Sequence, residues 1–342
     1  MTLAASGVLS AILLVVGLAI PVPYVLLRPG PTFNTLGTVG QTQLIAISGH
    51  AQYPTSGHLD LTTVSVVGGE GSRVSLFDAL RGWVSHTTAV VPEELIYPPD
   101  TKPSQVQQQN ADDMRESQDH ARVAALRYLG ITVPTELVIS ETQSGSPADK
   151  AGLARGDVIT RVDGEAVTSA QQLRGLIGRH AVGEAVTITY TRDGKTLVAK
   201  PVTVKSTDAP VRPIIGVVPV ERPNLPFQVD IGLKDVGGPS AGLMFALGIV
   251  DKLTPDELNN GAYVAGTGTI DDDGKVGPIG GVQQKIAAAR AKGATVFLTP
   301  AEDCREAAAA KPKGLTLVRV TSLSEAVAAL QKLGSGQKVT TC

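Results

Sequence analysis

Ser240 sits in the run Gly237-Gly238-Pro239-Ser240-Ala241-Gly242. A strand-like stretch, residues 227–233, precedes it. Leu243, Met244, Leu247 and Val250 follow at helical spacing. Ser240 is therefore expected where a strand turns sharply into a helix N-terminus. The first N–H groups of such a helix have no partner inside it. Together with the positive end of the helix dipole they can hold an oxyanion beside a nucleophilic hydroxyl. The same residues also suit a Gly-rich turn with Ser240 as a helix cap. On its own the stretch does not choose.

A nucleophilic serine needs a base. Gly238-Pro239-Ser240-Ala241-Gly242 fits the G-x-S-x-G elbow, but that fold places its His after the Ser. His50, His58, His86, His120 and His180 all precede Ser240, so the elbow esterase reading fails and Lys or a carboxylate is the expected base. In Gly280-Gly281-Val282-Gln283-Gln284-Lys285-Ile286, a helix from Val282 puts Val282, Ile286 and Ala289 on one stripe. Lys285 shares that face. A lysine there loses hydrating water, its pKa falls, and the neutral amine can take a proton from Ser240. A lone lysine at a stripe's edge more often snorkels to solvent.

In combination these segments resemble the proteolytic domain of Lon proteases, across residues 230–300. Gly238-Pro239-Ser240-Ala241-Gly242 is similar to the family's nucleophile motif, and Thr267-Gly268-Thr269-Ile270 to its T-G-x-I strand. Residues 276–285 are similar to the segment carrying its lysine. The resemblance implies Ser240 as nucleophile, Lys285 as general base and the Thr267 hydroxyl as an orienting group. Gly238, Pro239 and Ala241 would form the oxyanion turn. One departure stands out: the family usually has an acid directly before G-P-S, where this chain has Gly237, with Asp235 two residues further back.

Residues 144–164 carry Ser144-Gly145-Ser146-Pro147-Ala148, Ala151-Gly152-Leu153, Gly156-Asp157-Val158-Ile159 and Val162-Asp163-Gly164. A helix over 169–177 and strands around an Asp193-Gly194 turn follow. This run resembles a PDZ domain of bacterial envelope proteases. Such domains add an extended peptide to a sheet edge and capture its C-terminal carboxylate on backbone N–H groups. Tyr128-Leu129-Gly130-Ile131 resembles the carboxylate-binding loop. Leu173, Leu176 and Ile177 would line the groove, although core filling accounts for at least one of them.

The positioning elements set the frame. Residues 3–27 hold no charge, which is long enough to cross a bilayer. An uncleaved anchor is expected over a signal peptide cut near Gly17-Leu18-Ala19, because apolar residues continue through Leu27. No Lys or Arg precedes the segment, so charge does not orient it. Ser75 caps a helix through Trp83 whose buried face would be Phe77, Leu80 and Val84. Residues 98–119 read as a polar, Gln-rich linker becoming helical at 114–128. Cys304 and Cys342 fit no metal pattern; unpaired cysteines are the main expectation, and a disulfide between them outside the cytoplasm is the minority one. Asp271-Asp272-Asp273-Gly274 lacks calcium-loop spacing and reads as a turn. Gly194-Lys195-Thr196 is no Walker A. The formal net charge of −2 gives no electrostatic reason to expect nucleic acid.

The expected class is α+β: a Lon proteolytic domain with an inserted β-rich PDZ domain and an N-terminal transmembrane helix. The expected parts are an anchor at 1–28 and a β-rich protease segment at 29–115. The PDZ domain follows at 116–206, the Lon-like domain at 207–333 and a flexible tail at 334–342. The expected activity is an ATP-independent serine endopeptidase with no cofactor and no metal, on the cell membrane with its bulk extracytoplasmic. Its partners would be protein or peptide substrates, some through free C-termini, and membrane lipid through residues 3–27. A homo-oligomer is left open. The alternative is a non-catalytic PDZ adaptor, against which the intact Ser240 and Lys285 pair argues.

Overall fold

The computed structural model describes residues 16–17, 19–69, 72–208, 210–233, 235–310 and 313–342. The chain divides into two compact units. The larger joins residues 1–131 to 227–342, and the smaller is 132–226.

The larger unit is built on a six-stranded sheet. Its order is Thr316–Val320, Val296–Pro300, Tyr263–Gly266, His58–Val67, Tyr24–Asn34, Ala89–Pro92. The first four strands run parallel, and the last two join antiparallel. The sheet mixes chain from before and after the smaller unit, since His58–Leu61 pairs with Tyr263–Gly266. Ile45–Ser48 likewise pairs with Gln228–Ile231. Every residue of the helix Gly242–Leu253 is buried, which explains its almost unbroken apolar sequence. Val282, Ile286 and Ala289 of the helix Val282–Ala291 join one core cluster with Phe297 and Leu317.

The smaller unit is a β-rich domain. Its strand order is Lys195–Ala199, Ile188–Arg192, Val158–Val162, Thr135–Thr142, Val217–Pro223. The helix Ala170–Ile177 covers a core that includes Leu137, Ile159 and Ile188. Asp157 is fully buried inside it. Arg192 offsets that charge through two bonds of 2.6 and 2.7 Å to its carboxylate.

Several expectations change. The apolar run does not continue as an anchor to Leu27: Pro21–Val22 and Tyr24–Asn34 are strands, and Val25 and Leu26 lie in the protein core. Residues 1–15 and 18 of the expected anchor lie outside the described residues. Among the described residues no helix is long and apolar enough to cross a membrane. The helix Leu76–Trp83 does not bury Phe77, Leu80 and Val84. Its inward face is Ala79 and Gly82, because a Cβ on Gly82 would lie 2.7 Å from Val90. The expected linker is the helix Pro103–Tyr128, with proline at its first turn. The smaller compact unit is 132–226, in which Val217–Pro223 pairs along Thr135–Thr142. Residues 334–342 are not a loose tail. Arg319 N–H donates to Thr340 C=O and Cys342 N–H to Leu317 C=O. Cys304 and Cys342, expected free, form a disulfide.

Candidate active site

Ser240 lies two residues ahead of the helix Gly242–Leu253. Gly238 takes a left-handed φ of +85°, which glycine adopts without steric cost. The lysine comes from the first turns of Val282–Ala291, and its Nζ lies 2.8 Å from Ser240 Oγ. Lys285 is 3% exposed and Thr267 fully buried. Lys285 Nζ donates to Thr267 Oγ1 at 3.1 Å, and Thr267 Oγ1 donates to Ser240 C=O at 3.0 Å. Gly268 N–H donates to the same carbonyl at 2.9 Å. The threonine thus ties the lysine tip to the backbone of the serine.

Burial penalises the ammonium and brings the Lys285 pKa down to about 8, against the pull of the Asp303 carboxylate. Asp303 sits in the turn Ala301–Asp303 and accepts Ile279 N–H at 3.0 Å. Burial first, then Glu306, pushes its own carboxyl up. The sequence carries no signal for this acid, since only the fold brings it toward Lys285.

The helix Pro103–Tyr128 braces the serine turn, a role its polar composition did not suggest. Gly238 N–H donates to Asn110 C=O at 2.8 Å, and Ser117 Oγ donates to Pro239 C=O at 2.8 Å. A Cβ on Gly237 would lie 2.7 Å from Asn110 Cβ. The glycine that stands where the Lon pattern has an acid is therefore fixed by this helix. The helix is latched at its far end as well. His120 Nδ1 lies 2.6 Å from Asp272 Oδ1, and Arg127 donates to Asp273 Oδ1 at 3.0 Å. Burial lowers the His120 pKa, but the bond and charge of Asp272, helped by Glu116, outweigh it and raise the pKa.

Gly238, Pro239 and Ala241 lie in the turn that carries Ser240. The Gly238 N–H is spent on Asn110, and proline has no N–H. Around Ser240 opens a cleft of about 800 Å³ lined by Thr62 to Val66, Met114, Val236, Ile279 and Lys285. His58–Val67 pairs with Tyr263–Gly266 only as far as Leu61, so its edge beyond Leu61 borders this cleft. Among the described residues no cluster of three metal-ligating side chains occurs.

In the smaller unit a groove of about 560 Å³ lies beside the helix Ala170–Ile177, lined by Leu173, Ile177 and residues 212–219. Leu173, Leu176 and Ile177 all belong to the buried core, and Leu176 does not reach the groove. Tyr128-Leu129-Gly130-Ile131 belongs to the larger unit. Gly130, at φ +73°, ends the long helix, with Ile131 N–H donating to Leu126 C=O. An apolar–Gly–apolar run serves equally as a helix stop. Ile214-Ile215-Gly216-Val217 repeats the pattern at the groove, and Gly216 has φ +80°.

Two family models match the chain: a PDZ domain over residues 106–201 and the Lon protease (S16) C-terminal proteolytic domain over 228–331. Their combination is that of a PDZ-containing Lon-like serine protease. The chain is 45% identical over 71 residues to the serine protease Do-like HtrA of Lactococcus lactis subsp. lactis, covering 21% of this chain and 17% of that protein. It is 36% identical over 96 residues to a putative zinc metalloprotease of Neisseria meningitidis, covering 27% of this chain and 21% of that protein. The chain thus spans about a fifth of these relatives' length. Their names carry different catalytic chemistries, so these short matches do not decide the reaction. Among solved structures, the PDZ domain of an SdrC-like protein from Listeria monocytogenes is 30% identical, with a TM-score of 0.23, covering 25% of this chain and 86% of that one.

Proposed function

We propose that the chain is a membrane-anchored, ATP-independent serine endopeptidase in which Ser240 is the nucleophile and Lys285 the general base. The observation that carries this is the buried Lys285 Nζ at 2.8 Å from Ser240 Oγ. Ser240 Oγ attacks the scissile carbonyl while neutral Lys285 takes its proton. The amides of Ser240 and Ala241 hold the oxyanion. Lys285 then gives its proton to the leaving amine, and water cleaves the acyl-enzyme by the same relay in reverse. Thr267 keeps the amine aimed at the serine. An extended substrate adds to the edge at residues 62–66. The PDZ unit recruits polypeptides by their C-terminal carboxylate at Ile214-Ile215-Gly216-Val217, with Leu173 and Ile177 receiving an apolar side chain.

The uncharged stretch from residue 3 to Ile20 supports an anchor, since about 17 or more apolar residues span a bilayer. The Cys304–Cys342 disulfide supports an oxidising, extracytoplasmic location. The decisive test is labelling by an acylating serine-protease probe in isolated membranes, followed by identification of the modified residue. Label on Ser240, lost in both Ser240→Ala and Lys285→Ala, is the expected result. An unlabelled Ser240 with intact peptide binding would favour the adaptor reading.

A further inference from the structure

The helix Leu76–Trp83 is turned inside out for a protein in water. Phe77, Leu80, Trp83 and the capping Val84 are 52, 41, 56 and 78% exposed. Contiguous exposed apolar faces mark contact with a partner or a membrane. The helix is otherwise well built: Ser75 and Asp78 form a capping box, which places the acidic Asp78 at the helix N-terminus where the dipole favours it. Arg73 and Arg81 flank the apolar face in sequence.

Its place in the chain names the partner. Pro21–Val22 pairs with Val74–Ser75, directly ahead of the helix. Leu76 N–H donates to Ile20 C=O at 2.9 Å. The uncharged N-terminal segment therefore joins the folded body one hydrogen bond from this helix. Glu93 N–H donates to Pro23 C=O at 3.1 Å, which brings in Leu95, 69% exposed. A bilayer entered at Ile20 begins where this face lies.

We propose that the outward face of the Leu76–Trp83 helix, with Phe77, Leu80, Trp83 and Val84, lies in the headgroup–acyl boundary of the lipid bilayer as a second anchor beside the N-terminal segment. This rests on the membrane-anchored reading above. Amphipathic helices bind in this way, through an aromatic and aliphatic face with basic residues at its flanks. Trp and Phe on one side supply the insertion, and Arg73 and Arg81 meet anionic headgroups. The helix fixes the larger unit against the membrane instead of leaving it to swing from a single tether.

Trp83 is the single tryptophan of the chain, so its fluorescence reads this face alone. The full chain is reconstituted in phosphatidylcholine–phosphatidylglycerol vesicles, and alkaline-carbonate pelleting scores the N-terminal anchor separately. The expected result is a blue-shifted Trp83 emission, quenched by lipids brominated on the upper acyl chain and shielded from iodide. A Phe77→Asp, Leu80→Asp variant should still pellet, but its Trp83 should lose lipid quenching and regain iodide quenching. Pelleting with Trp83 open to iodide and untouched by brominated lipid overturns the proposal while leaving the anchor reading intact. Shielding that grows with protein concentration and not with lipid assigns the face to a second copy, and also overturns it. Lipid quenching without carbonate-resistant pelleting would sustain the interfacial helix and remove the spanning anchor.

Discussion

At the scale of residues the proposed Ser240–Lys285 dyad turns on one proton. Lys285 can act as a base only when neutral, and burial has brought its pKa to about 8. Activity should rise with pH through that value, because deprotonation creates the base. Asp303 opposes the shift, so removing its charge should lower the lysine pKa further. Asp303→Asn keeps an acceptor for Ile279 N–H, and its acid limb should move to lower pH. Ile286→Ala, which opens the buried face, should admit water and move the limb the other way. Rates of acylation measured against pH in the three proteins check both signs; limbs that coincide would mean that neither group sets the lysine. The meeting of Ser240 and Lys285 was legible because each stands in a distinctive local pattern. Asp303 was not, because an acid in a turn has no local signature of facing a lysine 18 residues earlier in the chain.

At the scale of elements the helix Pro103–Tyr128 is the part that sequence hid. Its Gln-rich, polar composition reads as a linker, and only the proline at its first turn marks a helix start. Yet Asn110 and Ser117 hold the turn that carries Ser240. The helix Leu76–Trp83 misled in the opposite sense. Its apolar period is genuine, but periodicity reports a face and not which side is wet. The strand Gln228–Ile231 ahead of Ser240 and the buried helix Gly242–Leu253 were legible, because unbroken apolar runs leave few other homes, whereas the strand Tyr24–Asn34 was hidden in the apolar N-terminal run. The clash at Gly237 makes the brace testable. Gly237→Ala puts a Cβ 2.7 Å from that of Asn110, which must push the serine turn or the helix aside. Since misplacement by about 1 Å can cost on the order of 100-fold in rate, kcat should fall by roughly 10- to 100-fold. Adding Asn110→Gly removes the opposing Cβ and should recover part of that loss, although glycine in a helix costs about 1 kcal/mol. A double-mutant cycle on kcat with thermal melts in parallel separates the clash from general destabilisation. Full activity in Gly237→Ala would show that the turn is not braced by contact.

At the scale of the whole molecule, two devices close the larger unit around its insertion. The sheet joins residues before 132 to residues after 226. The Cys304–Cys342 bond ties the C-terminus, 38 residues on, to the residue after Asp303. Cross-links closing loops of this size contribute about 2–4 kcal/mol, so Cys342→Ser should lower the Tm of this unit by roughly 5–15 °C, read by calorimetry. An unchanged Tm would mean that the paired strands hold the tail unaided. The inserted unit raises a different question, since the proposed recruitment and the proposed chemistry sit in separate parts of one chain. If Ile214-Ile215-Gly216-Val217 captures a carboxylate on backbone N–H groups, it contributes local substrate concentration and no catalysis. The effect should then appear in KM and leave kcat alone. Long unfolded polypeptides ending in a free carboxylate should show a lower KM than the same chains amidated at the C-terminus. Short peptides that occupy only the Ser240 cleft should show no such difference. Val217→Asp at the groove should erase the gap, because a second carboxylate beside the first repels it. Steady-state cleavage of the paired acid and amide substrates by both proteins is the measurement. Equal KM values for acid and amide in the unaltered enzyme would mean that the groove does not read C-termini.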